Sequence, residues 1–548
     1  MFKYKKVLFS TFLLSFLGFF IILAGCSSNS STENTTDSDN STENISDDSS
    51  NNSSNSSNSS ESTSSDKYGG TLNINIASGM TNLGFPAEQT SSVPRLFVDP
   101  VLQSLARYDK EGKLSPLLAT SWETDAEAMT ITYELREGVQ FHDGTDFNAE
   151  TAKWNIEKYI EVQRPETASI DSMEVLDDHT LKLNLKEWNS SALDSISFFV
   201  QMISPTAYEE NGKEWAIGNP VGTGPFVFDN WERSVSISYV RNEDYWEEGK
   251  PYLDKIVMSQ MMDEMTAVSS LRAGEIDGMD IDDSNLIKEL DASGNFNLVL
   301  HDNGIGSVGQ GLIGNSSDPD SPFSNVKVRK ALGYAIDVEA LNKTINQGYA
   351  VATNQWGVPG SFAYNPDVKG YPYNPEKAKE LLKEAGYPNG FSTKFYSEPK
   401  HANTSAAIQN YLAQVGIDVE VVTTDSAKIQ EFYGSTWDGL IYWWHTAQGD
   451  LPLYMGRHLN RDAVFYAGGM IHPEKVLNLL NEAKLAKDRD EKQRISYEIQ
   501  KSVFDEYAIG LPMFIPSAVF AKNPNVHDDG FHKTNLSSWT PENAWIEE

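Results

Sequence analysis

Residues 374–422 read NPEKAKELLKEAGYPNGFSTKFYSEPKHANTSAAIQNYLAQVGIDVEVV. Asn374-Pro375 supplies a helix N-cap followed by an N1 proline, and Ala378, Leu381, Leu382 and Ala385 then share one face. Gly386 is a stop signal with Pro388 just beyond it. Phe391 to Tyr396 reads as a strand, Thr404 to Val415 as a helix, and Ile417 to Val422, after Gly416, as a second strand. Strand, helix, strand with short connections is the pattern of a parallel α/β sheet.

The same reading extends in both directions. Leu72, Ile74 and Ile76 alternate with polar residues, as do Ile131-Tyr133-Leu135, Leu181-Leu183-Leu185 and Val235-Ile237-Tyr239, the signal of half-buried strands. Asn148 is an N-cap ahead of Ala152, Ile156 and Tyr159 on one helix face. Two further helical stretches run from Glu474 to Ala486 and from Asp490 to Tyr507. At 548 residues the chain exceeds what one core supports, so at least two lobes are expected. No repeat at solenoid spacing is visible.

The amino-terminal end has a different character. Lys3, Lys5 and Lys6 precede an apolar run from Val7 to Ala24, the layout of a secretory signal. The run is about long enough to span a bilayer, which leaves an uncleaved anchor as the competing reading. Leu23-Ala24-Gly25-Cys26 resembles the lipobox of bacterial lipoproteins, and Cys26 is the single cysteine of the chain. By that resemblance residues 1–25 are a signal peptide and Cys26 is the lipid attachment point, holding the protein on the outer face of the cell membrane. Residues 27–66 hold 18 Ser, 8 Asn and 5 Thr with no Lys or Arg. With the lipidated cysteine, residues 26–66 read as a disordered tether, too poor in apolar surface to repay ordering.

Composition removes several functions. Net charge is −35, and −30 belongs to residues 67–548, so a phosphate backbone would be repelled and nucleic acid is excluded as a partner. A mean hydropathy of −0.43 excludes a multi-span membrane protein. One cysteine excludes an internal disulfide and a cysteine-based zinc site. No G-x-S-x-G, H-E-x-x-H or G-x-x-x-x-G-K-[ST] motif occurs. GIGSVG at 304–309 matches G-x-G-x-x-G, but QGLIGN follows where a dinucleotide site needs a helix, so an interlobe segment is preferred. His142, in Phe141-His142-Asp143-Gly144, reads as a turn, and His445, His458 and His472 lack short-range ligand spacing. Nothing specifies an enzyme, a cofactor or a metal site.

Several segments together resemble the extracytoplasmic solute-binding proteins of peptide and nickel ABC importers, family 5. They are LSPLLATSW (114–122), LREGVQFHDGT (135–145), FNAE (147–150), GTGPF (222–226), RNEDYW (241–246), LRAGEID (271–277), VRKALGYAID (328–337) and LLKEAGY (381–387). The resemblance implies a two-lobed α/β fold of the periplasmic-binding-protein kind, joined by crossover hinge strands. Lobe I would comprise 67–100, 221–300 and 517–548, with an inserted subdomain at 101–220, and lobe II 301–516. It also implies capture of a ligand by lobe closure and delivery to a permease with its ATPase subunits, by a protein that is usually a monomer.

By the same resemblance the ligand is an extended oligo- or dipeptide, paired along its backbone with strand edges. Gly449-Asp450 looks like the family's Gly-Asp element, which makes Asp450 the candidate partner of a peptide ammonium, against an ordinary exposed Asp at a helix start. Trp443 and Trp444 are neighbours on a strand and face opposite ways, so one belongs to the core and the other to the cleft. Trp356 lies in a loop that faces the cleft in relatives, and Met80 ends the first strand where relatives line it. The rival ligand is a nickel or other metal chelate, for which His445 and Arg164 are the candidates. A surface receptor or adhesion lipoprotein without an import role is the reading from another class.

Overall fold

In the computed structural model the described residues are 67–89, 94–109, 113–300, 308–357, 359, 363–432, 435–446, 450–461, 463, 466–516, 519–528, 530 and 539–547. They form a two-lobed α/β fold. The principal strands are Thr71–Asn75 (β1), Ala119–Asp125 (β2), Thr130–Leu135 (β3), Ile170–Asp177 (β4), Thr180–Leu185 (β5), Phe226–Glu232 (β6), Ser236–Arg241 (β7), Lys255–Ser259 (β8), Gly278–Ile281 (β9) and Asn297–Leu300 (β10). Val308–Gly314 (β11), Ala350–Ala352 (β12), Phe391–Ser397 (β13), Ile417–Thr423 (β14), Leu440–Thr446 (β15), Leu511–Pro516 (β16) and Val519–Lys522 (β17) follow.

Three of the alternating segments became strands with their apolar residues inward; in the fourth Ile237 and Tyr239 are buried, but Val235 precedes β7 and is exposed. Leu72 and Ile74 of β1, Ile131, Tyr133 and Leu135 of β3, and Leu181, Leu183 and Leu185 of β5 are all buried. They order into a seven-stranded sheet, β6-β7-β8-β1-β9-β17-β10, a four-stranded sheet, β2-β3-β5-β4, and a six-stranded sheet, β12-β16-β11-β15-β13-β14. One core joins the four-stranded sheet to the seven-stranded one through Leu72, Ile74, Ile131, Tyr133, Leu181, Ile196, Ile237 and Met258. Separate cores pack both faces of the six-stranded sheet, one around Trp356, Trp443 and Phe504, the other around Phe323, Leu332, Phe395 and Leu412.

Two connections link the large sheets: β10 leads to β11 across residues 301–307, and β16 leads to β17 across 517–518. The first contains part of the G-x-G-x-x-G match. Residues 304–307 lie outside the described residues, and Val308 opens a strand, not the helix that a dinucleotide site requires.

Helix signals held at the residue level. In Ala149–Glu161 (α1) the Asn148 side chain accepts from Thr151 N at 3.0 Å while Thr151 Oγ1 accepts from Asn148 N at 2.9 Å, a reciprocal cap. Ala192–Phe199 (α2), Glu264–Ala273 (α3), Ser284–Ser293 (α4) and Val326–Ala335 (α5) come next. In Pro375–Glu384 (α6) Asn374 accepts from Lys377 N at 3.0 Å. Ala402–Gln414 (α7), Leu451–Leu459 (α8), Glu474–Lys484 (α9) and Arg489–Gln500 (α10) complete the set used below. The helical stretch expected to run on to Tyr507 changes character after Gln500: Tyr507 N donates to Ser502 O, a five-residue step that widens the turn. Among the described residues no helix is long and apolar enough to cross a membrane.

Candidate binding cleft

Strand direction decides which surface can hold a ligand. β1 runs parallel to both β8 and β9, so their carboxyl ends leave the sheet on one edge, at Ile76–Met80, Gln260–Asp263 and Asp282. In the second sheet β13 runs parallel to β14 and β15, which places Glu398–His401, residues 424–426 and Asp450 on one edge. Registers tie both edges to the crossovers. Leu300 and Ile281 each pair with Val519, while Val308 pairs with Thr446 and Ala350 with Pro516. The carboxyl ends of these parallel strands in both sheets therefore open onto the same hinge, the position at which α/β sheets take ligands.

The two edges carry different chemistry. On the first, Glu264 accepts from Asp282 N at 3.0 Å and from Asp283 N at 3.1 Å. Burial pushes the Asp282 carboxyl up, Glu264 and Asp280 add to the shift, and Lys400 of the opposite edge opposes it. Met262 and Met265 stand out from this edge, 66% and 62% exposed. Unbranched thioether side chains adapt to varied partners, as broad-specificity surfaces require. On the second edge burial works to raise the Glu398 carboxyl, but the Ser426 hydroxyl and Lys400, at 2.9 Å, hold it below the ordinary value. Burial and Lys400 together lower the His401 imidazole to about 4, so it is neutral at pH 7.

The expected site residues fall into three groups. Asp450 is 8% exposed and caps α8, its Oδ1 accepting from Leu453 N at 3.1 Å. Its other oxygen pairs with the ammonium of Lys492, itself 8% exposed, and Lys492 Nζ donates to Ser191 Oγ at 2.9 Å. Burial raises the Asp450 carboxyl, but Lys492, the Ser191 hydroxyl and the Leu453 N–H together leave it below its ordinary value. Asp450 thus stands at a helix start, buried and with an internal cation.

Trp443 and Trp356 form the second group. Trp443 is 1% exposed and Trp356 5%, both in the second core, where Trp356 lies 5.8 Å from the Tyr454 ring and 5.9 Å from that of Phe504. The Trp356 indole fills the space between α8 and the chain after α10. The side chains of Trp444 and His445 lie outside the described residues.

Met80 and Arg164 form the third. Met80 follows β1 at the first edge but is 8% exposed and packs into the first core. Arg164 pairs with Glu166 at 3.0 Å and donates to Gln89 O, which fixes a loop. Cys26 lies outside the described residues. Among those residues no group of three or more His, Cys, Asp or Glu side chains is placed to hold a metal ion.

Sequence reasoning missed Lys492, Ser191, Ser190 and Trp188. No local spacing marks them, because the bonds joining Trp188, Ser190 and Ser191 to the second core span 293 to 301 positions. A separate cavity of ≈ 400 Å³ lies over Asp337, Glu339, Tyr371, Tyr373 and Leu511–Met513, at the end of β16 remote from the crossover.

Comparison with known proteins places the geometry in context. A profile described as bacterial extracellular solute-binding proteins, family 5 Middle, matches residues 113–465. The glutathione-binding protein GsiB of Shigella flexneri is 32% identical over 473 residues, covering 83% of this chain and 90% of that protein. The ABC transporter-associated periplasmic binding protein DppA of Helicobacter pylori, solved with the peptide STSA, superposes with a TM-score of 0.72 at 25% identity, over 88% of this chain and 99% of that one. The ABC transporter substrate-binding protein CtaP of Listeria monocytogenes shares the fold, with a TM-score of 0.78 at 20% identity over 88% of this chain and all of that one.

Proposed function

The chain belongs to family 5 of the bacterial extracellular solute-binding proteins, and from that premise we propose that it captures short peptides in the cleft between its two lobes for an ABC importer. One observation carries the peptide reading: glutathione, a tripeptide, names the relatives that align over most of both chains. The geometry agrees with it. Strand ends on both sides of the hinge offer backbone donors and acceptors to an extended ligand. Met262 and Met265 offer adaptable apolar surface, and the carboxylates near Asp282 with Lys400 opposite offer both signs of charge for peptide termini. Binding here is hinge closure of the two lobes around the ligand.

Delivery follows from the same reading: the closed form docks on a permease served by ATPase subunits. Residues 1–25 direct export, Cys26 carries the lipid, and residues 26–66 tether the folded part to the outer face of the membrane. Cys26→Ala should abolish membrane partition or leave an uncleaved precursor; normal cleavage with unchanged partition would remove the lipid anchor from the account.

The deciding experiment is mass spectrometry and elemental analysis of what the purified protein releases on denaturation, followed by calorimetric titration with reduced glutathione and with a panel of dipeptides. Peptides without stoichiometric metal, and saturable binding of one or more of those ligands, are expected. Near-stoichiometric nickel, cobalt or zinc with a small chelator would replace the peptide reading by the metal-chelate one. Absence of any bound solute, with no saturable ligand in the panel, would favour a surface receptor.

A further inference from the structure

The linker that enters α2 reaches out of the first core and bonds to the second. Ser190 N donates to Lys484 O at 2.8 Å, Ser190 Oγ to Ala483 O at 2.8 Å and Trp188 Nε1 to Ala486 O at 2.8 Å. Beside these, Lys484 pairs with Glu187, and Lys492 Nζ reaches Ser191 Oγ at 2.9 Å. The acceptors lie at the carboxyl end of α9, where the last carbonyls of any helix lack a partner within the helix. Trp188 packs against the first core and Ala483 and Ala486 belong to the second, so this cap bridges two independently packed bodies.

The distribution of charge makes the contact reversible. Asp450 and Lys492 both stand on the second body, in α8 and α10, and stay paired whether or not the first body is present. What separates on opening is the exposed Glu187–Lys484 pair, the neutral hydrogen bonds of Trp188 and Ser190 to carbonyls that water can satisfy, the Lys492 ammonium's bond to Ser191, and the attraction of Lys492 and Arg489 for Asp194 of α2. Lys492 keeps Asp450 as its partner when the two bodies part. Asp450 also follows the cleft-side end of β15 by only a few residues, so the cap closes one flank of the cleft.

We propose that Trp188, Ser190 and Ser191 form a ligand-independent latch that caps α9 across the two lobes and biases the protein towards its closed form. A latch whose bonds all run between protein groups changes the affinity of every ligand by one factor, through the population of the closed state. The proposal deepens the peptide-binding reading, but the latch itself does not depend on which solute is bound.

Two measurements on the full chain test it, with Ser190→Ala and Trp188→Phe as variants; phenylalanine keeps the packing and removes only the indole donor. Hydrogen exchange without added ligand reads the closed population: exchange in residues 76–83 and 398–402, remote from the substitution, should rise roughly three- to ten-fold. Exchange that rises only in 187–192 and 484–487 would reduce the contact to a local one and overturn the latch. Titration with reduced glutathione and with trialanine should show both weakened by the same factor. Weakening of one and not the other would make Ser190 part of a ligand subsite and also overturn it. Failure of both peptides to bind the wild-type protein would sink the peptide reading while the exchange result still decides the latch. Should Ser190→Ala melt early, Trp188→Phe decides alone.

Discussion

At the scale of single residues, Asp450 shows how burial redirects a carboxylate. A charge at that depth is tolerated because Lys492 neutralises it and Leu453 N–H and Lys492 fill its lone pairs. Removing one partner strands the other. Asp450→Asn should therefore cost about 3–5 kcal/mol in chemical denaturation, and adding Lys492→Met to it should recover part of the loss. Unchanged stability with abolished peptide binding would instead restore Asp450 as a ligand partner. His142 gives a second case with a defined pH window. Burial lowers its imidazole from 6.5 to about 4, and Nε2 lies 2.9 Å from Gly224 O. The unfolded chain takes up the proton first as pH falls, so the stability His142 contributes is complete above pH 6.5 and is lost on the way down to pH 4. Asp99, pushed up to about 7 by burial, works in the opposite direction, so the variant must be compared with the wild type. Denaturation of His142→Gln across pH 7 to 4 should show a flatter slope, with a difference of at most ~3 kcal/mol. Parallel curves would mean that the imidazole protonates equally in both states.

At the scale of elements, the entry into two adjacent parallel strands depends on glycine. Gly390 and Gly416, ahead of β13 and β14, have φ of +75° and +90°. A Cβ on Gly390 would collide with the Gly416 carbonyl, whereas one on Gly386, φ +95°, meets nothing within 4 Å. Gly386→Ala should cost only the strained backbone, about 1–2 kcal/mol, and Gly390→Ala about 3 kcal/mol or more. Equal melting temperatures for the two variants would refute the close approach of the strand entries. These elements were the legible part of the chain. Caps at Asn148 and Asn374, the alternation in β1, β3 and β5, and the helix–strand order after residue 374 are local signals, each decided within a few residues. The candidate site was only half legible for the opposite reason. Period two says that Trp443 and Trp444 face opposite ways, not which of them meets the core, and a loop tryptophan such as Trp356 has no period at all. Ser191 and Lys492 are 301 positions apart, and only the packing of two bodies brings them together.

At the scale of the whole molecule, charge reaches further than any contact. Residues 67–548 carry −30, and Lys400 is one cation at an edge that faces Asp280, Asp282 and Glu264. Most of the ion pairs are surface pairs between long side chains, such as Lys377–Glu380 and Lys428–Glu431, which add little stability and leave the excess negative field in place. That field acts on an approaching solute before the lobes close, and salt screens it. The Debye length shrinks from about 30 Å at 0.01 M to about 10 Å at 0.1 M. An anionic peptide such as glutathione should therefore associate faster as salt rises over that range, while a lysine-containing peptide of the same length associates more slowly. Dissociation rates, set by short contacts inside the closed cleft, should respond much less. Stopped-flow association measured for both ligands at the two salt concentrations checks this. Salt slopes of the same sign for both would show that the field at the cleft mouth differs from that of the molecule as a whole, with Lys400 offsetting the acidic edge locally.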